Sequence, residues 1–560
     1  MPKIIGTPLS LGLINEMLPK PDIHRRARHY GEGFWREDTI YNLAAAHAAN
    51  SPNAPGVRDR YRSLNYRSFV AAADALASDL DARGLVEGDR VAVWLPARVE
   101  TAVAILACSR NGYVVSPGLQ RDHTVAQVLD LLQRMSASAL VMQPDFGADA
   151  SRRDIQPGLE ETVGLRHAYC LSSIERDVPL FGLSSSEPGT EPIADPDTVV
   201  YLPFTSGTTG EPKGVLHTDN TLLANARTIA ADWNFGSNSR IYTMSPLSHN
   251  LGFGALISAI AVGGELILHD LPKGASLLER LRETGATFLF GVPTHAIDLL
   301  AELRHDGGEL PSLEGFRISG ASVPDVVCRE LLEHGITPQS GYGMTEACSH
   351  HYTLPEDPPS RITGTSGTAC AGYEVRVFSQ DDPDRVMPLG EIGQIGGRGA
   401  SLMLGYYEDE ASTASSFNRD GFFMTGDIGS LDADGYLKIT GRKKDVIIRG
   451  GHNIYPARIE ALAMRHGSVE LAAAVPITDE RLGERVCIAV TLRQGFDVVP
   501  RDLLAHLDTE GLSKYDMPEY FLEVDEMPVT ANGKIMKRAL NERIERRELT
   551  PLPVRWTPPN

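Results

Sequence analysis

Apolar helical faces alternate with short apolar strands through most of this chain, and that alternation constrains the fold more than any other feature of the sequence. Phe69, Ala73, Leu76, Ala77 and Leu80 recur at the spacing of one helix face, and residues 89–95 (Asp-Arg-Val-Ala-Val-Trp-Leu) then read as a buried strand. The theme repeats in 101–109 followed by 113–116, and in 277–283 followed by 287–290. Such alternation predicts α/β layers with largely parallel strands. A second pattern begins after Asp427. Residues 435–441 predict a strand between two glycine turns, leading into the basic run Arg442-Lys-Lys444. Beyond it come a helix over 456–465, strands over 471–475 and 485–492, and a helix over 500–507, a small α+β unit of domain size. The stretch 145–197, rich in Ser, Pro and charge, is expected to be surface connection.

The length of 560 residues exceeds what one core organises and predicts two or more domains. With 53 Lys plus Arg against 73 Asp plus Glu, the formal charge of −20 argues against nucleic acid or anionic membrane as partner. Any polyanionic ligand must meet a local positive site. Six scattered cysteines without a C-x-x-C pair disfavour a disulfide framework or structural zinc and fit reduced thiols in the cytoplasm. No export signal is read in the first 20 residues. The longest apolar run, 251–268, is interrupted by four glycines and Glu265, so a buried helix followed by a strand is expected, not a membrane span.

Chemistry concentrates first in Thr205-Ser-Gly-Thr-Thr-Gly-Glu-Pro-Lys-Gly214, which follows a β-branched and aromatic run and precedes a helix expected to be capped near Asn220. Gly207 and Gly210 would let backbone N–H groups converge on phosphate oxygens, Thr205, Ser206, Thr208 and Thr209 add hydroxyls, and Lys213 adds charge. The order differs from the common P-loop, which needs four residues between its glycines and then Gly-Lys-Ser/Thr. A flexible Ser/Thr/Gly linker is the bland alternative, and this segment alone leaves the two readings level.

Further segments follow in order: Gly341-Tyr-Gly-Met-Thr-Glu346, Thr425-Gly-Asp427, Gly441-Arg-Lys-Lys-Asp445, Gly450-Gly-His-Asn-Ile-Tyr-Pro456 and Asn532-Gly-Lys534. Together with the loop they resemble the signatures of the adenylate-forming superfamily, which includes acyl-CoA synthetases, aryl-acid ligases, luciferases and peptide-synthetase adenylation domains. The resemblance covers about residues 39–542. It implies an enzyme that uses ATP and Mg2+ to turn a carboxylic acid into an acyl-adenylate and then passes the acyl group to coenzyme A. It also implies a large N-terminal domain of layered α/β subdomains, 1–440, and a small mobile α+β domain, 441–560, hinged near Lys444.

Roles carried over by the resemblance suit the side chains. Thr345 would contact the α-phosphate and Glu346 would hold Mg2+, a hard ion that takes carboxylate oxygen. Asp427 would accept from the ribose hydroxyls and Arg442 would contact ribose or phosphate, although a Gly-Asp pair is otherwise a turn. Gly320, Ala321 and Ser322 resemble the adenine loop, and Tyr342, Gly343 and Met344 complete the nucleotide site. Lys534 matches the lysine that reaches in for adenylation, against the bland reading of a solvated turn. Gly450 and Gly451 would line the pantetheine channel.

Pro246-Leu-Ser-His-Asn250 and the glycine-bearing run after it resemble the border of the acyl pocket. His249 either gates the carboxylate or is a packed histidine; Asn250, Phe253 and Gly343 would line the pocket. Amino-acid adenylation domains usually carry Asp at the place of Asn250, so an amino-acid substrate is disfavoured. Asn250 with Phe34-Trp35 and Asp38-Thr39 is similar to dihydroxybenzoate-type aryl-acid ligases. The Pro212-Lys213-Gly214 ending and Gly252–Gly254 are closer to medium-chain and cyclohexanecarboxylate–CoA ligases. A wall of Phe253, Phe290, Val292 and Pro293 suits a medium-chain, alicyclic or aromatic acid, with neighbouring chain lengths separated by only about 0.8 kcal/mol per methylene. Carrier-protein loading is the alternative to CoA; no carrier attachment motif follows Lys534, which favours CoA. A homodimer stays open. A non-catalytic nucleotide scaffold would lack the lysine or the Mg2+ ligand, and both are present.

Overall fold

The computed structural model describes residues 21–172, 179–183, 190–193, 195–206, 212–320, 323–529 and 535–556. It is mixed α/β, with two large sheets, a four-stranded sheet and a separate C-terminal sheet. Arg90–Trp94, Ala137–Met142 and Val114–Ser116 run parallel in one large sheet. Arg240–Thr243, Glu265–Leu268, Phe288–Gly291 and Gly315–Ile318 run parallel in the other.

Helices Tyr66–Ala82, Val99–Asn111, Asp219–Asp232 and Asn250–Val262 share one core with strands of both sheets, so they form the layer between them. Val99–Asn111 is buried on every face, as a helix in a middle layer must be, and ends at Gly112 with φ 66°. Tyr66–Ala82 starts at Asn65, whose side chain caps Ser68 N–H, and buries all five residues of the expected face. Separate apolar clusters cover the outer faces of the two sheets. The C-terminal sheet, built on the antiparallel pair Val469–Asp479 and Gly483–Leu492, has its own cluster on each face.

The structure corrects or sharpens three expectations. The stretch 145–197 is not all connection: helix Gln156–Glu161 lies in it, and His167–Cys170 is an edge strand paired parallel to Ala137–Met142. The helix after the Ser/Thr/Gly loop is capped by Thr218, two residues before Asn220, in a capping box with Thr221. The last part of the loop, Pro212 to Gly214, already belongs to strand Pro212–Thr218.

Candidate active site

The two described ends of the Ser/Thr/Gly loop lie on paired strands. Phe204–Ser206 and Pro212–Thr218 pair antiparallel, with Thr205 opposite Lys213. Gly207, Thr208, Thr209 and Gly210 lie outside the described residues, as do Ala321, Ser322 and Lys534. Lys213 Nζ donates to Ser412 Oγ at 2.8 Å and lies 4.8 Å from the centre of the Tyr406 ring.

Tyr406 reaches the Thr345-Glu346 turn from its other end, its hydroxyl donating to Glu346 Oε1 at 3.0 Å. Glu346 is half-buried, and desolvation raises its carboxyl above the usual range against the pull of the Tyr406 hydrogen bond and the Arg442 charge. His217, fully buried at the end of strand Pro212–Thr218, donates from Nε2 to the Thr345 carbonyl at 2.7 Å, while its Nδ1 meets Thr221 Oγ1 at 3.0 Å. Burial holds its imidazole neutral, near a pKa of 4. Gly343 is required by space: a Cβ there would come within 2.2 Å of the Cys348 carbonyl oxygen.

Asp427 is not a turn residue. It sits buried inside strand Phe423–Leu431, directly across from Arg442. Its two oxygens are held apart, Oδ2 accepting from Tyr342 Oη at 2.7 Å and Oδ1 pairing with Arg442 Nε at 3.0 Å. Tyr342 comes from the same motif as Thr345 and Glu346, so strand Thr337–Met344 carries the link between this acid and the turn. Gly320, two residues beyond strand Gly315–Ile318, has φ 96°. Lys444 is exposed in the short turn after Arg442. Gly450 and Gly451, φ 59° and 85°, form the two-residue turn of the hairpin Ile447–Arg449 and His452–Ile454, a conformation that by itself calls for glycine.

Beside the turn lies a narrow cleft of about 20 Å3, lined by Leu222, Asn225, Asn250, Phe253, Ile257 and Cys348 among others. Asn250 Nδ2 donates to the Met344 carbonyl at 3.3 Å, tying the helix start to the motif. His249 is the N-cap of that helix, its Nδ1 accepting from Leu251 N at 3.4 Å. Phe253 stacks on Tyr201 with centroids 3.8 Å apart. Phe290 and Val292 belong to the core instead of this lining, so the expected wall is only partly the observed one. Trp35 and Thr39 have structural work: Trp35 Nε1 donates to the Ala400 carbonyl and Thr39 caps helix Ile40–Asn50.

Sequence reasoning missed Tyr406, His217 and Asn225. None lies in a quoted motif, although His217 follows the loop by only three residues and could have been read as its continuation.

A family model described as AMP-binding enzyme matches residues 44–407, and one described as AMP-binding enzyme C-terminal domain matches residues 458–534. The chain belongs to the AMP-binding enzyme family. This AMP-binding enzyme is 32% identical over 532 residues to the medium-chain fatty-acid–CoA ligase of Escherichia coli (strain K12), covering 93% of each chain. It resembles the crystal structure of ATP-bound MatB from Rhodopseudomonas palustris, with a TM-score of 0.80 and 28% identity over 90% of this chain and 99% of that one. It also resembles o-succinylbenzoate CoA synthetase from Bacillus subtilis in complex with an acyl-adenylate intermediate, with a TM-score of 0.77 and 26% identity over 89% and 97%.

Proposed function

We propose that this AMP-binding enzyme is an ATP-dependent carboxylic acid–CoA ligase acting in two steps. In the first, a carboxylate oxygen of the acid bonds to the α-phosphorus of ATP and pyrophosphate leaves. In the second, the CoA sulfur bonds to the acyl carbonyl carbon, the thiol proton passes to solvent and AMP leaves. The observation that carries the reading is the convergence of Asp427, the Thr345-Glu346 turn and Lys213 through Tyr342 and Tyr406. Asp427, with a fixed carboxylate, is suited to the ribose hydroxyls; Thr345 faces the α-phosphate; Lys213 steadies the departing phosphates. The names of the relatives, CoA ligases among them, support CoA over a carrier protein.

Among the described residues no three His, Cys, Asp or Glu side chains gather as a metal cage. A lone desolvated carboxylate, Glu346, fits Mg2+, which keeps waters and takes phosphate oxygens. When bound there the ion would offset negative charge on the phosphoryl group. The acid is medium-chain, alicyclic or aromatic, in keeping with the apolar side chains of the cleft. We place the domain boundary near residue 441, with the small domain turning about Lys444 between the two steps. Six free cysteines, five of them buried, support the reducing cytoplasm as its compartment.

A panel of acids with ATP and Mg2+, with and without CoA, tests the reading by following AMP and thioester together. AMP release with no CoA consumed overturns the CoA assignment. Lys534→Ala is expected to slow pyrophosphate exchange roughly a hundred- to a thousandfold, the loss that follows removal of one charge-stabilising donor. Exchange at the wild-type rate removes Lys534 from the mechanism.

A further inference from the structure

Strand Gly315–Ile318 sends Phe316 and Ile318 into the apolar cluster on the outer face of its sheet. The residue between them, on the face covered by the inner helices, is an arginine. Arg317 is fully buried, next to its cross-strand neighbours Phe290 and Gln339. Its Nη1 donates to Gln339 Oε1, and its guanidinium lies 5.2 Å from the centre of the Tyr352 ring. Nε and Nη2 have no hydrogen-bond partner among the described residues. The groups whose charge it feels are Tyr352 and Cys370, neither of them a carboxylate. Burial lowers its pKa only to about 10, so it stays charged at neutral pH.

More unmet polar groups lie on the two strands beyond it, Thr337–Met344 and Cys348–Tyr352, and its charge reaches His350. Gln339 Nε2, His350 Nε2 and His351 Nε2 are also without partners among the described residues, on side chains that are fully buried. The two histidines face each other through Nδ1 atoms 3.0 Å apart, so one Nδ1–H donates to the other. In that arrangement one Nε2 is a donor and the other an acceptor. Four N–H donors, two of them on a cation, therefore lack an acceptor. Protein interiors do not keep a charge and its donors unpaired without cost. A carboxylate, with two oxygens and lone pairs for up to four donors, matches this set.

The cluster adjoins the acyl cleft. Cys348 and Ser349 line the cleft, and His350 to Tyr352 continue the same strand. Asn225, also in the lining, holds Ser349 by both backbone groups and approaches Cys370 Sγ at 3.8 Å, the thiol that feels Arg317. We propose that Arg317, with Gln339, His350 and His351, forms an anion-recognising end to the acyl pocket, so that the acid activated here carries a second carboxylate at its far end. This rests on the acid-activating reading above and specifies its substrate class.

The test compares saturated monocarboxylic acids with α,ω-dicarboxylic acids of the same carbon number, from four to ten carbons, in wild type, Arg317→Met and Arg317→Lys. The readout is kcat/KM for AMP formation with ATP and Mg2+. In wild type at least one diacid is expected to exceed its matched monoacid tenfold or more. Arg317→Met reverses that order and Arg317→Lys restores part of it. A wild type that prefers the monoacid at every length overturns the proposal. So does an Arg317→Met variant that slows both series alike, because the arginine would then serve the reacting carboxylate or the fold alone. Should Arg317→Met fail to fold, wild-type melting with each acid supplies the reading: greater protection by a diacid supports it, and equal protection overturns it. AMP from no acid at all sinks the ligase reading itself, and this one with it.

Discussion

At the scale of single residues, Tyr406 joins two parts of the site that are far apart in sequence. Its ring lies against Lys213 of the loop and its hydroxyl serves Glu346 of the turn. Tyr406→Phe keeps the ring and deletes the hydroxyl. A hydrogen bond to a charged group contributes about 1.5 kcal/mol or more, so the rate of pyrophosphate exchange is expected to fall about tenfold with little change in melting temperature. The Mg2+ concentration for half-maximal rate should also shift, since the freed carboxylate is the one assigned to the ion. An unchanged rate across a Mg2+ titration contradicts the role given to this tie. Residues with a motif of their own, such as Asp427 and Glu346, were legible in the sequence because their chemistry and order are distinctive. Tyr406 and His217 were not, because their partners lie 60 and 128 residues away and only the fold brings them together.

At the scale of elements, the middle-layer helices were legible because a helix face or an all-round apolar helix announces itself by period. Strand His167–Cys170 was not, since an edge strand in a polar stretch owes its place to pairing with Ala137–Met142 and not to its own pattern. Helix Asp219–Asp232 shows a cost that no pattern reveals. Asp219, in its first turn, is buried and accepts from Ile40 N and Ser109 Oγ, both at 3.1 Å, and burial raises its pKa to about 7. The folded state therefore holds a proton that the unfolded chain releases near pH 4. Stability from this group is present below pH 4 and is lost as pH rises to about 7. Asp219→Asn imitates the protonated acid. It is expected to stabilise the protein at pH 8 by about 1–3 kcal/mol and to have little effect near pH 4, read from urea midpoints. Equal effects at both pH values would show that Asp219 is ionised in the fold.

Across the whole molecule a second set of groups has the opposite sign, because several histidines are buried neutral. Burial lowers His29, His217 and His295 to about 4, His351 to about 3, and His350 well below its usual value. For each, the unfolded chain takes up a proton near pH 6.5 that the folded chain refuses until much lower pH. The stability is complete above pH 6.5 and is lost as pH falls toward 4. Each such group contributes a slope of up to about 1.4 kcal/mol per pH unit, opposed in part by the carboxyls that burial raises, Asp219, Asp59, Asp232 and Glu265 among them. The urea midpoint is accordingly expected to change little between pH 8 and 7 and to drop steeply from 6.5 to 5. His350 feels the Arg317 charge and His351 touches His350, so their protonation sets like charge beside like, and His351→Gln should flatten the acid limb without moving the neutral plateau far. A midpoint that holds level down to pH 5 would mean that these histidines are solvated or paired in solution, and the buried polar cluster under the cleft would have to be redrawn.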